Sequence, residues 1–334
     1  MIYYFIENLT ELNPEDEIKI TDNLVLKTIP SELLFKLKHL IKQYHPHDSA
    51  TIFNIKRNDF PNSFHEYEKV KDLSSGGISV KPRNEKDFRY FVIQESNGNK
   101  FNLIYAQAFS LCDKDFFIPF SFTFNDNFVI KSSFSELSIY TYYNDINVLW
   151  DNKGKIHKKR SPNCFLESDK LQVLEYIRLL NNFEEQKSNY PSIDKALKDF
   201  FLTNEISDYS VFKVVTYIAC LELLLVDNSF DKLRSISSQL QTKLNLLNNQ
   251  FENPIIIESY LKGPHTLTLG KVIETIYNYR SSIAHGDFLD FSKKLQILGA
   301  LSFEDILNFI KIVLKKVLIY SIKNPRLISD LKKC

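Results

Sequence analysis

The residues best suited to chemistry are an arginine and a histidine, Arg280 and His285, with four residues between them. Arginine is a permanent cation whose planar fork matches phosphate oxygens. Histidine takes and gives protons near neutral pH. Together they can cleave an RNA phosphodiester without a metal, because one group removes the 2′-hydroxyl proton, a cation holds the charge at phosphorus, and an acid protonates the leaving 5′-oxygen. The products would be a 2′,3′-cyclic phosphate end and a 5′-hydroxyl end.

A helix is predicted to position both residues. Apolar residues recur at spacings of three, four and seven, the period of an amphipathic helix, at Leu269, Val272, Ile273, Ile276 and Ile283. Thr268 is a suitable N-cap, and Gly286 is suited to follow the helix end. Arg280 and His285 are separated by roughly 140° around an ideal helix. Either the last turn unwinds, or a second copy of the chain completes the site.

The sequence YRSSIAHG, over residues 279–286, resembles the R-x4-6-H motif of the HEPN superfamily. Its Arg-Ser-x-x-x-His-Gly ending is most similar to the Apea-like branch. An apolar helix containing ACLELL at 219–224 and a helix around 233–247 also fit that branch. The resemblance covers residues 190–325, which is under half of the chain.

This resemblance implies a helical bundle that forms a homodimer and brings two motifs into one cleft. It further implies a metal-independent ribonuclease, a hydrolase of bacterial toxin and antiphage defence systems, with RNA as substrate and no cofactor. A regulatory protein or a phage-derived trigger would control it. The alternative is a non-catalytic module that binds RNA or serves as partner of a nucleotidyltransferase, with Tyr279 as a tyrosine that could be modified.

The residue types leave structural alternatives open. His285 can cap the helix end beside Asp287, and Arg280 can pair with Glu274 or Glu222. Glu222 lies in a helix predicted to be buried, where a carboxylate needs a partner. It can orient the motif or form a plain salt bridge. The remaining supporting candidates are side chains of the motif that could contact phosphate or line a cleft: Ser281, Ser282, Asn278 and Tyr279.

Composition is typical of a soluble globular protein. The chain has 334 residues, of which 44% are hydrophobic and 25% charged, with a formal net charge of +1. RNA binding must therefore come from local clusters of cations. Four widely spaced cysteines show no metal-ligand spacing, so no metal is expected. There is no signal-peptide pattern, and the longest apolar run, 211–226, is short for a membrane span. We expect a cytoplasmic protein of an AT-rich bacterium.

The pattern of residue types changes along the chain. Residues 1–150 predict an α+β domain of unassigned fold with a sensing or regulatory role. Its strands are expected at 1–7, 17–20, 24–27, 89–94, 116–124 and 134–150, and its helices from residue 30 and around 103–111. A basic linker is predicted over 151–168. Residues 169–334 predict an all-α, HEPN-like helical bundle, with the helix over 210–226 at its centre.

Two basic segments are candidates for RNA binding. The first, 153–160, contains five cations and no acid, including Lys158, Lys159 and Arg160. The second is the tail from residue 311, which includes Lys311, Lys315 and Lys316. For the first, the alternative is a solvated connection between domains. For the second, it is the favourable interaction of cations with the C-terminal end of a helix.

Overall fold

The computed structural model describes residues 2–6, 9–11, 17–29, 67–71, 78–82, 91–96, 102–114, 116, 118, 121–123, 163–206, 210–227, 235–262, 267–284, 295, 298–299 and 302–334. The chain divides into two compact units, Met1–Leu174 and Glu175–Cys334. Several sequence predictions lie outside the described residues. These are the helix from residue 30, the strand over 134–150, the cations Lys158, Lys159 and Arg160, and the motif residues His285, Gly286 and Asp287.

The first unit is of mixed α and β structure, as predicted. Its strands are β1 (Ile2–Ile6), β2 (Leu9–Glu11), β3 (Ile18–Lys19), β4 (Leu24–Thr28), β5 (Tyr67–Lys71), β6 (Ile78–Pro82), β7 (Phe91–Glu95), β8 (Ser121–Thr123) and β9 (Asn163–Cys164), and α1 (Leu103–Leu111) follows β7. Five strands form an antiparallel sheet in the order β3-β4-β7-β1-β8. Within the predicted strand over 116–124, the described residues include β8.

Alternation along β4 shows how the sequence specifies one face of this sheet. Leu24 and Leu26 are fully buried, whereas Val25 and Lys27 are partly exposed. A strand with this period of two buries one face and leaves the other open. β4 pairs with β7, which places Leu24 opposite Glu95.

The end of the segment predicted as a linker contains ordered structure of the first unit. β9 pairs in parallel with β2, with Leu9 opposite Asn163. The Lys114 ammonium donates to the Cys164 carbonyl at 2.8 Å and to the Asp169 carboxylate at 2.7 Å. The helix predicted from residue 169 begins at Glu167, as α2 (Glu167–Glu184), and the division between the units falls inside it.

The second unit is helical. After the end of α2, the α-helices of its described part are α3 (Pro191–Leu202), α4 (Phe212–Leu225), α5 (Ile236–Gln250), α6 (Leu269–Ala284), α7 (Phe303–Lys323) and α8 (Pro325–Lys333), with short 3-10 turns at Lys187–Asn189, Thr203–Glu205 and Ile257–Ser259. Among the described residues, no helix is both long enough and apolar enough to span a bilayer.

Helix α4 lies at the centre of this unit, as its nearly continuous apolar sequence predicts. It packs against α3, α5, α6, α7 and α8. Most of its apolar side chains are almost completely buried: Val214, Tyr217, Ile218, Cys220, Leu221, Leu224 and Leu225. Phe212, at its first turn, is an exception and is 58% exposed.

Local sequence fixes where several of these helices begin. Pro191 occupies the first turn of α3, where its missing N–H costs nothing. Ser302 forms the capping box of α7, since its hydroxyl accepts from the Asp305 amide and its own amide donates to the Asp305 carboxylate. Thr268 caps α6 as predicted, with its hydroxyl accepting from the Lys271 amide at 3.3 Å.

Candidate functional site

Helix α6 carries the arginine of the motif and packs through its apolar face. The residues predicted to form that face are all buried: Leu269, Val272, Ile273, Ile276 and Ile283. Near its start the helix passes very close to α5. There the Gly270 amide donates to the Asn245 side-chain oxygen at 2.8 Å. The described part of the helix ends at Ala284.

Arg280 lies at the edge of this buried face and has neighbours on two helices. Its guanidinium carbon is 5.7 Å from the centre of the Tyr277 ring, one turn earlier on α6. One of its terminal nitrogens is 3.5 Å from Glu222 Oε1, near the end of α4. Both charged side chains are mostly buried, with 24% of Arg280 and 21% of Glu222 exposed. The other acid considered from the sequence, Glu274, pairs with Lys271 at 2.8 Å.

The Arg280–Glu222 ion pair is incompletely hydrogen-bonded. Within the described part of the chain, Arg280 Nε and Glu222 Oε1 are buried and have no hydrogen-bond partner. At 3.5 Å the contact is an electrostatic one, longer than a charged hydrogen bond of good geometry. One buried donor and one buried acceptor of this pair therefore lack a hydrogen bond among the described residues.

Burial changes the protonation of the groups around this pair. It raises the pKa of the Glu222 carboxyl above its ordinary value, and the Arg280 guanidinium partly offsets the rise. Burial also raises the pKa of the Tyr277 hydroxyl, and the charge of Glu222 raises it further. Both shifts follow from removing a negative charge from water.

Two lysines fix the end of the helix that carries Glu222. The Lys243 ammonium, from α5, donates to the Leu225 carbonyl at 2.9 Å and to the Lys332 carbonyl at 2.9 Å. The Lys332 ammonium, from α8, donates to the Leu223 carbonyl at 2.8 Å. Cations commonly satisfy the last carbonyls of a helix in this way. The last turn of α4 is consequently held by both α5 and α8.

The other motif residues lie on different faces of α6. Ser281 and Ser282 are partly exposed, and the Ser282 hydroxyl donates to the Asn278 carbonyl at 3.1 Å. The Asn278 side chain is exposed. Tyr279 is only 3% exposed and packs in the core of the unit. Because His285 lies outside the described residues, the structure gives no distance between it and Arg280.

The cations of the basic tail are largely engaged in contacts within the protein. Lys315 is only 6% exposed, which leaves its ammonium poorly placed for a phosphate. The Lys316 ammonium donates to the Asn253 carbonyl, and Lys323 pairs with Glu175 at 2.8 Å. Lys311 is partly exposed. RNA contact by the tail stays a prediction, and for Lys315 its burial argues against that role.

Sequence reasoning did not single out Tyr277, Lys243 or Lys332. Tyr277 stands three residues before Arg280, a spacing that places two side chains on one helix face, so the sequence contained a usable indication. The two lysines reach carbonyls that are distant in sequence, and no local pattern reveals such contacts. None of the described cysteines forms a disulfide. No cluster of three or more histidine, cysteine or acidic residues suited to a metal ion occurs in the described part.

Comparison of the chain with protein-family models, with curated proteins and with solved structures finds no match.

Proposed function

We propose that the protein is a metal-independent endoribonuclease of HEPN type, acting in a bacterial toxin or antiphage defence system. Arg280 and His285 would cleave RNA at a cleft between two copies of the chain. The first unit would sense a trigger or restrain the nuclease. The products would carry 2′,3′-cyclic phosphate and 5′-hydroxyl ends.

One observation carries this proposal. Arg280 is held at the edge of α6, between the Tyr277 ring and Glu222, and its buried Nε has no hydrogen-bond partner among the described residues. A guanidinium that is fixed by these neighbours while 24% of its side chain stays exposed is suited to bind a phosphate oxygen. His285 follows in the sequence at the spacing of the motif.

The two residues would divide the chemistry between them. Arg280 would stabilise the charge that develops on the phosphorane oxygens. His285 would transfer a proton either at the 2′-oxygen or at the leaving 5′-oxygen. Arg280 and His285 are roughly 140° apart around an ideal helix, so one helix does not direct both side chains to the same point. We therefore expect the histidine of one copy to act together with the arginine of the other.

Cleavage of labelled RNA in the presence of EDTA tests the proposal. Structured and unstructured RNAs are compared for wild type, Arg280→Ala and His285→Ala. We expect a loss of about 10²–10³-fold for Arg280→Ala, by analogy with removal of a donor to a developing oxyanion. For His285→Ala we expect a loss of about 10²–10⁴-fold, the usual contribution of a proton-transfer group. End-group analysis should show cyclic phosphates.

Arg178→Ala is the matched control, because Arg178 is exposed on α2 and lies outside the motif helix and both basic segments. It should cleave like wild type. Equal cleavage by wild type and both motif variants would contradict the proposal and point to a contaminating nuclease. Absence of cleavage with retained RNA binding would favour the non-catalytic module. A nucleotide found by mass spectrometry on a tyrosine would favour the nucleotidyltransferase partner, although the burial of Tyr279 disfavours that residue as acceptor.

A further inference from the structure

Tyr277 is a partly exposed aromatic residue beside Arg280, and the chemistry proposed above does not use it. It lies three residues before the arginine on α6, a spacing that places both side chains on one face of the helix. The guanidinium carbon is 5.7 Å from the centre of the ring. Since 24% of the Arg280 side chain is also exposed, the ring and the cation together form a surface that solvent reaches.

The contacts of Arg280 give the ring and the cation a defined separation. A guanidinium within about 6 Å of the centre of a tyrosine ring is attracted by the negative face of the ring. From the other side, Glu222 of α4 attracts the same guanidinium at 3.5 Å. The cation is therefore held between two helices, with the Tyr277 ring next to it.

The Tyr277 hydroxyl carries no charge near neutral pH. Burial raises its pKa above the ordinary value, and the charge of Glu222 raises it further, although Arg280 partly opposes the rise. A neutral phenol does not repel a phosphate bound at the neighbouring guanidinium. Its ring also offers the kind of aromatic surface on which nucleobases stack.

A nucleotide of single-stranded RNA has two groups that match this pair of side chains. Its phosphate suits an arginine, and its flat base suits an aromatic ring. The two groups are joined through a single sugar, which can bridge neighbouring sites on a protein. In a duplex, each base is already stacked between its neighbours, so its faces are not open to a tyrosine.

We propose that Tyr277 stacks on the base of a nucleotide next to the scissile phosphate while Arg280 binds that phosphate, so that the nuclease selects single-stranded RNA. This inference rests on the proposed function above and adds to it the class of substrate. Tyr277 contacts the base, whereas the bond changes take place at phosphorus. Because stacking is present both before and during the reaction, it should affect KM more than kcat.

The first experiment measures cleavage by the full chain of a single-stranded RNA with one mapped cleavage bond. Wild type, Tyr277→Phe and Tyr277→Leu are compared. Phenylalanine keeps the ring and should behave nearly like wild type. Leucine keeps an apolar side chain but has no ring, so we expect KM to rise by about 5- to 100-fold with little change in kcat, the range for loss of one stacked base. A fully paired RNA of the same sequence should be a poor substrate for wild type.

The second experiment tests the contact itself, with an abasic site on one side or the other of the cleaved bond. One of the two abasic RNAs should abolish the difference between wild type and Tyr277→Leu, because the effects of two groups in contact are not additive. Wild type should also show the raised KM on that RNA, a result that does not depend on the folding of any variant. Tyr260→Leu is the matched control, because Tyr260 is 41% exposed, lies outside α6 and packs beside Phe309.

The third experiment measures binding without cleavage. A labelled single-stranded 2′-O-methyl RNA is used, because its blocked hydroxyl cannot attack the phosphate. Fluorescence anisotropy should give a Kd for Tyr277→Leu that is about 5- to 100-fold weaker than for wild type and for Tyr260→Leu. Circular dichroism of the same samples checks that the variants are folded.

The possible outcomes separate this inference from the proposed function. If Arg280→Ala and His285→Ala cleave like wild type, the nuclease assignment fails, whereas binding of the 2′-O-methyl RNA still tests the stacking contact. If those two variants lose activity while Tyr277→Leu keeps the KM and Kd of wild type, only the stacking inference is overturned. An effect of Tyr277→Leu that persists on both abasic RNAs shows that the ring only holds Arg280 in place, and it also overturns the inference.

Discussion

At the scale of single residues, the contact between Arg280 and Glu222 is a poor candidate for a purely stabilising interaction. The two charges are 3.5 Å apart and mostly buried, yet each has a buried atom that lacks a hydrogen-bond partner within the described residues. Removing charges from water costs several kcal/mol unless hydrogen bonds compensate. Such an arrangement costs stability, a cost that is commoner at functional sites than in purely structural ion pairs.

The raised pKa of Glu222 predicts how the stability of the protein depends on pH. The folded state holds the Glu222 proton more tightly than the unfolded chain, whose reference pKa is 4.5. The resulting stabilisation is fully present below about pH 4.5 and is lost as pH rises through the folded-state pKa. Glutamine does not titrate, so the stability of Glu222→Gln relative to wild type should improve as pH rises through this window.

Urea unfolding followed by helical circular dichroism, at several pH values between about 4 and 7.5, measures this difference. Glu274→Gln serves as the control for loss of a carboxylate from a helix, since Glu274 pairs with Lys271 at the surface. A relative stability of Glu222→Gln that falls with rising pH would mean that the folded protein lowers the pKa of Glu222, contrary to our expectation.

At the scale of secondary-structure elements, the position of Arg280 depends on how α6 is seated against α5 and α4. Helices α6 and α5 approach each other closely at Gly270. A Cβ atom there would lie 2.4 Å from the Gln241 carbonyl oxygen and 2.7 Å from the Asn245 side chain. The carbonyl belongs to the backbone of α5 and cannot rotate away. Only glycine therefore allows the two helices to pack at this distance.

Gly270→Ala is expected to destabilise the protein by about 1–3 kcal/mol, the usual cost of forcing an extra carbon into a packed contact. Although alanine has the higher helix propensity, the clash with a backbone atom should outweigh that gain. Denaturant unfolding measures the change. Thr242→Ala, at an exposed position of α5, is the control and should be close to neutral. Increased stability of Gly270→Ala would show that α5 and α6 can separate without cost.

At the scale of the whole molecule, the described partners of Arg280 all belong to the second unit. In the proposed function, the first unit would control the nuclease. In the same proposal, the catalytic histidine would come from a second copy of the chain, because Arg280 and His285 are roughly 140° apart around an ideal helix.

Mixing two inactive variants tests whether the site is shared between copies. In a heterodimer of Arg280→Ala and His285→Ala, one composite site lacks both residues and the other retains both. If Arg280 of one copy works with His285 of the other, cleavage should return to at most about half of the wild-type rate per heterodimer. Recovery should depend on protein concentration, because the subunits must exchange and associate.

RNA cleavage and sedimentation of the same mixtures measure recovery and association together, and mixing Arg280→Ala with itself is the negative control. If dimers form but cleavage stays absent at every ratio, each site is either built within one chain or requires all four motif residues.

Local sequence patterns are enough to predict the structural class of each half of the chain. The period of two along β4 and the periods of three and four along α6 specify which side chains are buried, and these patterns depend only on local geometry. Capping by Thr268 and Ser302 was equally local. The spacing of Arg280 and His285 is also a local pattern, and it identified Arg280 as a candidate site residue.

The surroundings of Arg280, in contrast, depend on how the helices pack. From the sequence, Glu222 and Glu274 were equally available, and the packing of α4 against α6 brought Glu222 to the guanidinium while Glu274 paired along its own helix. Tertiary packing likewise buried Lys315 and turned Lys332 into a helix cap. Contacts of this kind join residues far apart in the chain, so they depend on how helices pack and not on any pattern within one helix.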